Sequence, residues 1–190
     1  MKIIFLSVLI LLFTFQSCKN EEKVEIGEVT ERSAEEIAAI KTYAPQFSFV
    51  SIEGEQVALE SLKGKYLYVD IWATWCRPCL QQLPAMKELE AKYDNQNIEF
   101  VSISVDKESD KNKWQNMVNE KQMKGIQLFA GRTSSFHQDY EISTIPKFLI
   151  IGKEGEIINN DPPRPMDYKT GQVNQELVSI LDNLLTEDKS

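Results

Sequence analysis

Cys76 and Cys79 stand two residues apart in Trp75-Cys76-Arg77-Pro78-Cys79, close enough to close a disulfide on each other. Such a pair carries two electrons, so the chemistry on offer is thiol and disulfide exchange. A cysteine attacks a disulfide only as thiolate, and its surroundings must lower its pKa. Pro78 suits the first turn of a helix, where a missing N–H costs nothing. A helix starting there would aim its unpaired N–H groups and positive dipole end at Cys76, and Arg77 would add a cation. Cys76 is therefore expected to be the exposed nucleophile and Cys79, one turn in, the shielded resolving thiol. Half a zinc site is the competing reading, and it needs two further ligands. The chain offers His137 and no second cysteine pair. Two inert core thiols would be the bland alternative, against which the intervening Arg and Pro speak.

The elements that must hold this pair can be traced from the periodicity. Tyr66 to Ala73 is a nearly continuous apolar run with one charge, Asp70; it reads as a strand covered on both faces and delivers the chain to the motif. After the motif, Leu83, Met86, Leu89, Glu90 and Tyr93 recur at helical spacing, with Pro84 expected to kink that helix. Upstream, Phe47 to Ser51 alternates and Glu53-Gly54 turns into Glu55 to Leu59, a strand hairpin. Downstream come a strand from Ile98 to Val105, a helix carrying Trp114, Met117 and Val118, and a strand from Ile126 to Ala130. A short helix from Ser134 to Tyr140, a strand from Lys147 to Ile151, a hairpin into Glu156 to Asn159, and a last helix from Asn174 to Leu185 follow. This order defines an α/β fold with a mixed central sheet and flanking helices. Trp72 and Trp114 are expected in the core, and the lone His137 in packing or at the surface. The stiff Asp161-Pro162-Pro163-Arg164-Pro165 loop is a candidate substrate contact.

The 190 residues suit one domain with flanking sequence. A net charge of -8, without a basic stripe, favours solubility and argues against nucleic acid as a partner. Residues 1–17 place Lys2 before an apolar run from Ile3 to Phe15, too short for a spanning helix and laid out like an export signal. Phe15-Gln16-Ser17-Cys18 resembles a bacterial lipoprotein box, with Phe in place of the usual Leu. The resemblance implies that Cys18 is lipidated and anchors the mature chain to a membrane facing the periplasm or the cell surface. An ordinary signal peptide with a chance cysteine is the alternative. Residues 18–43 then read as a polar tether with a weak helix from Glu31 to Tyr43, residues 44–186 as the domain, and 187–190 as a tail.

Trp72-Ala73-Thr74-Trp75-Cys76-Arg77-Pro78-Cys79 after an apolar strand, the opening Ala44-Pro45-Gln46-Phe47 and the following Pro84 resemble the thioredoxin superfamily, nearest its exported TlpA and ResA-like branch with an AhpC/TSA-like domain. The resemblance implies a thioredoxin-like fold with an N-terminal hairpin extension. It also implies a protein-disulfide oxidoreductase that needs no cofactor beyond the Cys76–Cys79 disulfide. Its partners would be protein thiols and disulfides outside the cytoplasm, plus a thiol electron donor, with reduction favoured over oxidation. Asp70, six residues before Cys76, matches the buried carboxylate that thioredoxins keep beneath the disulfide; with a pKa raised by burial it would take the Cys79 proton. A structural pairing with Lys65 or Lys147 is the alternative. Thr144-Ile145-Pro146 matches the superfamily's cis proline, which would present the Ile145 backbone as an edge for a client peptide; an ordinary trans proline is the bland reading. Trp75, Arg77, Pro78, Ile145 and Pro146 together form the expected client-binding surface. Gln82 departs from the glutamate common in the branch. Two other functions remain open at this level. A peroxiredoxin-like peroxidase would place Thr three residues before its cysteine, where Cys76 stands before Cys79. A non-catalytic envelope binding module would tend to lose one of the two cysteines.

Overall fold

The computed structural model describes residues 41–132 and 135–187. The leader, Cys18 and nearly all of the tether lie outside the described residues, as do the last three positions. Residues 41–43, drawn above as the end of a helix, are extended instead: Tyr43 bridges to Glu156, and Thr42 O accepts the Ile157 N–H at 2.7 Å. Sheet pairing there satisfies backbone groups that a short polar helix would leave to water.

Among the described residues one sheet of seven strands organises the chain. These are β1 (Ser48–Ser51), β2 (Gln56–Ala58), β3 (Tyr66–Trp72), β4 (Ile98–Ser104), β5 (Ile126–Phe129), β6 (Lys147–Ile151) and β7 (Ile157–Asn159), in spatial order β2-β1-β5-β4-β3-β6-β7. β3, β4 and β5 run parallel; β1 and β6 join them antiparallel, each extended by its hairpin partner. The helices are α1 (Arg77–Leu80), α2 (Leu83–Lys92), α3 (Lys111–Glu120), α4 (Phe136–Asp139) and α5 (Gln175–Glu187). The mixed sheet, the hairpin at its N-terminal edge and the flanking helices match the thioredoxin-like expectation.

β3 is central, which explains its unbroken apolar composition: both faces are covered. Leu67, Val69 and Ile71 share a core with Phe47, Ile103, Trp114, Val118 and Phe136, so α3 and α4 close that side. Tyr68 on the opposite face meets Met86, Leu89, Phe100, Phe148, Leu177 and Leu181 from α2, α5 and the neighbouring strands. Tyr68 stacks on Phe148 with ring centres 5.6 Å apart. Burying chains of this size contributes about 1.5–3 kcal/mol each, and the residue so held at the middle of β3 is Asp70, paired across the sheet with Ser102 and Phe148.

The helix that follows the motif is interrupted directly before Pro84. α1 is a single turn, Gln81 and Gln82 keep right-handed helical backbone angles in a turn, and α2 resumes at Leu83 with Pro84 at its second position. Pro84 has no N–H to give the Leu80 carbonyl, so the helical ladder is broken in the turn ahead of it.

Candidate active site

Cys76 and Cys79 are joined by a disulfide with their Cα atoms 5.3 Å apart. Cys76 caps α1: its Sγ accepts the Cys79 N–H at 3.2 Å, and its carbonyl accepts the Leu80 N–H at 3.1 Å. Four residues make only a small dipole, so direct donation from the backbone is the main local help to a thiolate on Cys76. The expected contrast in exposure is absent in the disulfide form: Cys76 is 3% exposed and Cys79 4%. The surface around the pair is supplied by Trp75, 57% exposed, and by the exposed Arg77 and Pro78. Trp72 and Trp114 are core, as expected.

Asp70 is buried, and its carboxyl is pushed up to about 7, first by loss of hydration and then by the nearby Glu90. Neither candidate lysine reaches it. Lys65 pairs with Glu99 at 2.8 Å, and Lys147 Nζ donates to the Asn160 carbonyl at 3.2 Å. Glu90, on α2, is itself raised to about 7 by burial, opposed by Lys124 and Lys87, and its Oε2 is buried without a hydrogen-bond partner. Two acids whose charged forms are both disfavoured thus lie between β3 and α2, with no cation paired to Asp70 among the described residues.

The loops above the sheet are tied down by polar groups whose anchoring role the sequence did not reveal. Asp106, fully buried just past β4, accepts the Thr74 N–H at 2.9 Å, the Thr74 hydroxyl at 2.8 Å and the Ser104 hydroxyl at 2.8 Å. It fixes the three residues that lead into Cys76. The legible signal was a Ser-Val-Asp ending an apolar strand, although nothing local says that Thr74 lies 32 residues away in sequence and beside it in space. Gln82, 1% exposed, donates to the Tyr168 hydroxyl at 2.9 Å and accepts the Met166 N–H at 2.9 Å. Tyr68 OH donates to the Pro163 carbonyl at 3.2 Å. The proline-rich loop is therefore held against the break between α1 and α2. A carboxylate at position 82 would lack the N–H that Gln82 gives to Tyr168. The Ile145–Pro146 bond is cis, as the resemblance implied, and Pro146 is buried directly before β6. Ile145, His137 and Trp75 meet around one cavity on this side of the pair.

A redox-closing cysteine pair at a helix start, on a mixed sheet with a cis proline before a neighbouring strand, defines an oxidoreductase of the thioredoxin type. The chain belongs to the AhpC/TSA family, whose model matches residues 40–159. It is 30% identical over 139 residues to the thiol-disulfide oxidoreductase ResA of Bacillus thuringiensis (strain Al Hakam), covering 73% of this chain and 70% of that one. A solution structure described as a thiol-disulfide oxidoreductase from Bacteroides vulgatus is 44% identical, with a TM-score of 0.62 over 76% of this chain and 92% of its own. A thiol-disulfide oxidoreductase from Bacteroides fragilis superposes with a TM-score of 0.63 at 26% identity, over 76% of this chain and all of its own, 100%.

Proposed function

We propose that this oxidoreductase works outside the cytoplasm, tethered to a membrane through a lipid on Cys18, and reduces disulfides in exported proteins. The observation that carries the reading is the Cys76–Cys79 pair standing at a helix start, just past the end of a strand that carries a buried Asp70 with no paired cation among the described residues. In the reduced form the Cys76 thiolate attacks one sulfur of a client disulfide. One client thiolate leaves, and a mixed disulfide forms. The Cys79 thiol passes its proton to Asp70 and attacks Cys76 Sγ. The second client thiolate is released as the enzyme disulfide closes. The client gains two electrons and the enzyme loses them; an external thiol donor restores the dithiol. Trp75, Arg77, Pro78 and the Ile145-Pro146 segment offer the surface on which the client lies, with the Ile145 backbone, just ahead of β6, as its pairing edge. No group beyond the cysteines has to carry electrons.

One experiment covers both halves of the reading. Expressed with its leader in a Gram-negative host, the protein should sediment with membranes, and that fraction should accelerate reduction of insulin disulfides by dithiothreitol. Cys76→Ser should cut the acceleration at least about 100-fold, and Cys18→Ser should leave the activity but release it from the membrane. A membrane fraction no faster than dithiothreitol alone would overturn the reductase reading, and membrane retention of Cys18→Ser would overturn the lipid anchor.

A further inference from the structure

Next to the cysteine pair an open cavity of about 420 Å³ is lined by Trp75, Val105, Arg132, His137, Ile142 and the Ser143–Ile145 stretch. Two of these groups border the chemistry directly. Trp75 precedes Cys76, and Ile145 precedes the proline that leads into β6. A client strand laid along Ile145 with a cysteine at Cys76 would send the side chain two positions from that cysteine to the same face as the cysteine, where the cavity lies, because neighbouring side chains of a strand alternate.

The cavity's chemistry selects what that side chain is. Part of its wall is apolar, from the indole of Trp75 and the half-buried Ile142 and Ile145, and part is polar, from Ser143, Thr144 and His137. Its one full charge is Arg132, which is exposed and forms no ion pair with another described residue. No carboxylate lines the cavity among the described residues. His137 in the same wall has its pKa lowered by burial and then by the neighbouring Arg132, which disfavours its charged form. A protein of net charge -8 thus keeps a cationic, carboxylate-free recess beside its cysteines. An arginine fork lining a recess with apolar groups beside it matches a carboxylate on a short methylene stem.

We infer that this recess is a specificity subsite for a glutamate two positions from the client's cysteine, with Arg132 as its recognition residue. The inference rests on the thiol-disulfide exchange proposed above. It runs against the overall field, since the acidic molecule as a whole would draw in lysine-flanked clients instead.

Three homodimeric disulfide peptides test it, identical except that the residues two positions before and two positions after the cysteine are Glu, Gln or Lys. Each is reacted with the reduced protein at low salt, and each rate is divided by the rate of the same peptide with dithiothreitol to remove intrinsic reactivity. The Glu peptide should be favoured over the Gln peptide by about fivefold, the size an exposed ion pair supplies, and the preference should shrink with salt. In Arg132→Glu the order should invert, with the Lys peptide first. Equal rates, or Lys ahead of Glu, in a native protein active on all three would overturn the subsite and leave the exchange reaction standing. No reaction with any peptide would remove the exchange reaction, and the subsite with it.

Discussion

At the level of single residues, Asp70 is where stability and chemistry pull in opposite directions. Its carboxyl is near 7 in the folded protein and about 3.9 in an unfolded chain, so the native state binds that proton more tightly. Stability is then lost as pH rises from about 4 to 7, and the penalty of the buried charge is complete above 7. Asp70→Asn should remove it, gaining on the order of 2–4 kcal/mol at pH 8 in urea unfolding, flattening the slope with pH and gaining nothing near pH 3.5. The same variant should slow resolution of the mixed disulfide by about 100-fold. A variant that is no more stable at pH 8, or that resolves at the native rate at every pH, would contradict this account of Asp70. The residue could be singled out in the sequence because it interrupts an apolar strand six positions before Cys76. Its partner in repulsion could not be, since Glu90 looked like one more position on a helix face, and only the packing of α2 on β3 makes the two acids neighbours.

Among the elements, the connection from β3 to α1 matters more than either end. Its geometry is set by Asp106, which gathers three donors from two segments in a fully buried spot. Asp106→Ala would leave the Thr74 N–H and two hydroxyls without an acceptor, and should cost about 3 kcal/mol of stability. Asp106→Asn should cost less, because an amide oxygen still accepts. Urea midpoints for the two variants, at unchanged slope, measure this; equal stability of Asp106→Ala and the native protein would show that the network contributes nothing. Strands and helices were readable from period and length because each is a local pattern. β3 betrayed its central place by being apolar on both faces, and α5 by Leu177 and Leu181. The interruption between α1 and α2 was readable from Pro84, which has no N–H for the helical ladder. Asp106 and Gln82 were missed as anchors because each bonds to residues far along the chain, and a contact of that separation leaves no local pattern.

For the molecule as a whole, the fold brings to one end of the sheet a cysteine pair, a cis proline segment, a clamped proline-rich loop and a cationic recess. An acidic body surrounds them. The sequence pointed to the first two through family-like spacing, and to the loop through composition, but the recess exists only because residues 75, 132, 137 and 145 meet in space. The division of labour between the cysteines is the central claim, and exposure does not decide it, because Cys76 and Cys79 are equally covered when oxidised. Trapping does. The reduced Cys79→Ser protein, mixed with a disulfide-bonded client and analysed by mass, should accumulate a stable one-to-one adduct mapped to Cys76, while Cys76→Ser under the same conditions should form none. An adduct on Cys79 of Cys76→Ser forming as fast as that on Cys76 of Cys79→Ser would contradict the assignment of Cys76 as the attacking thiol.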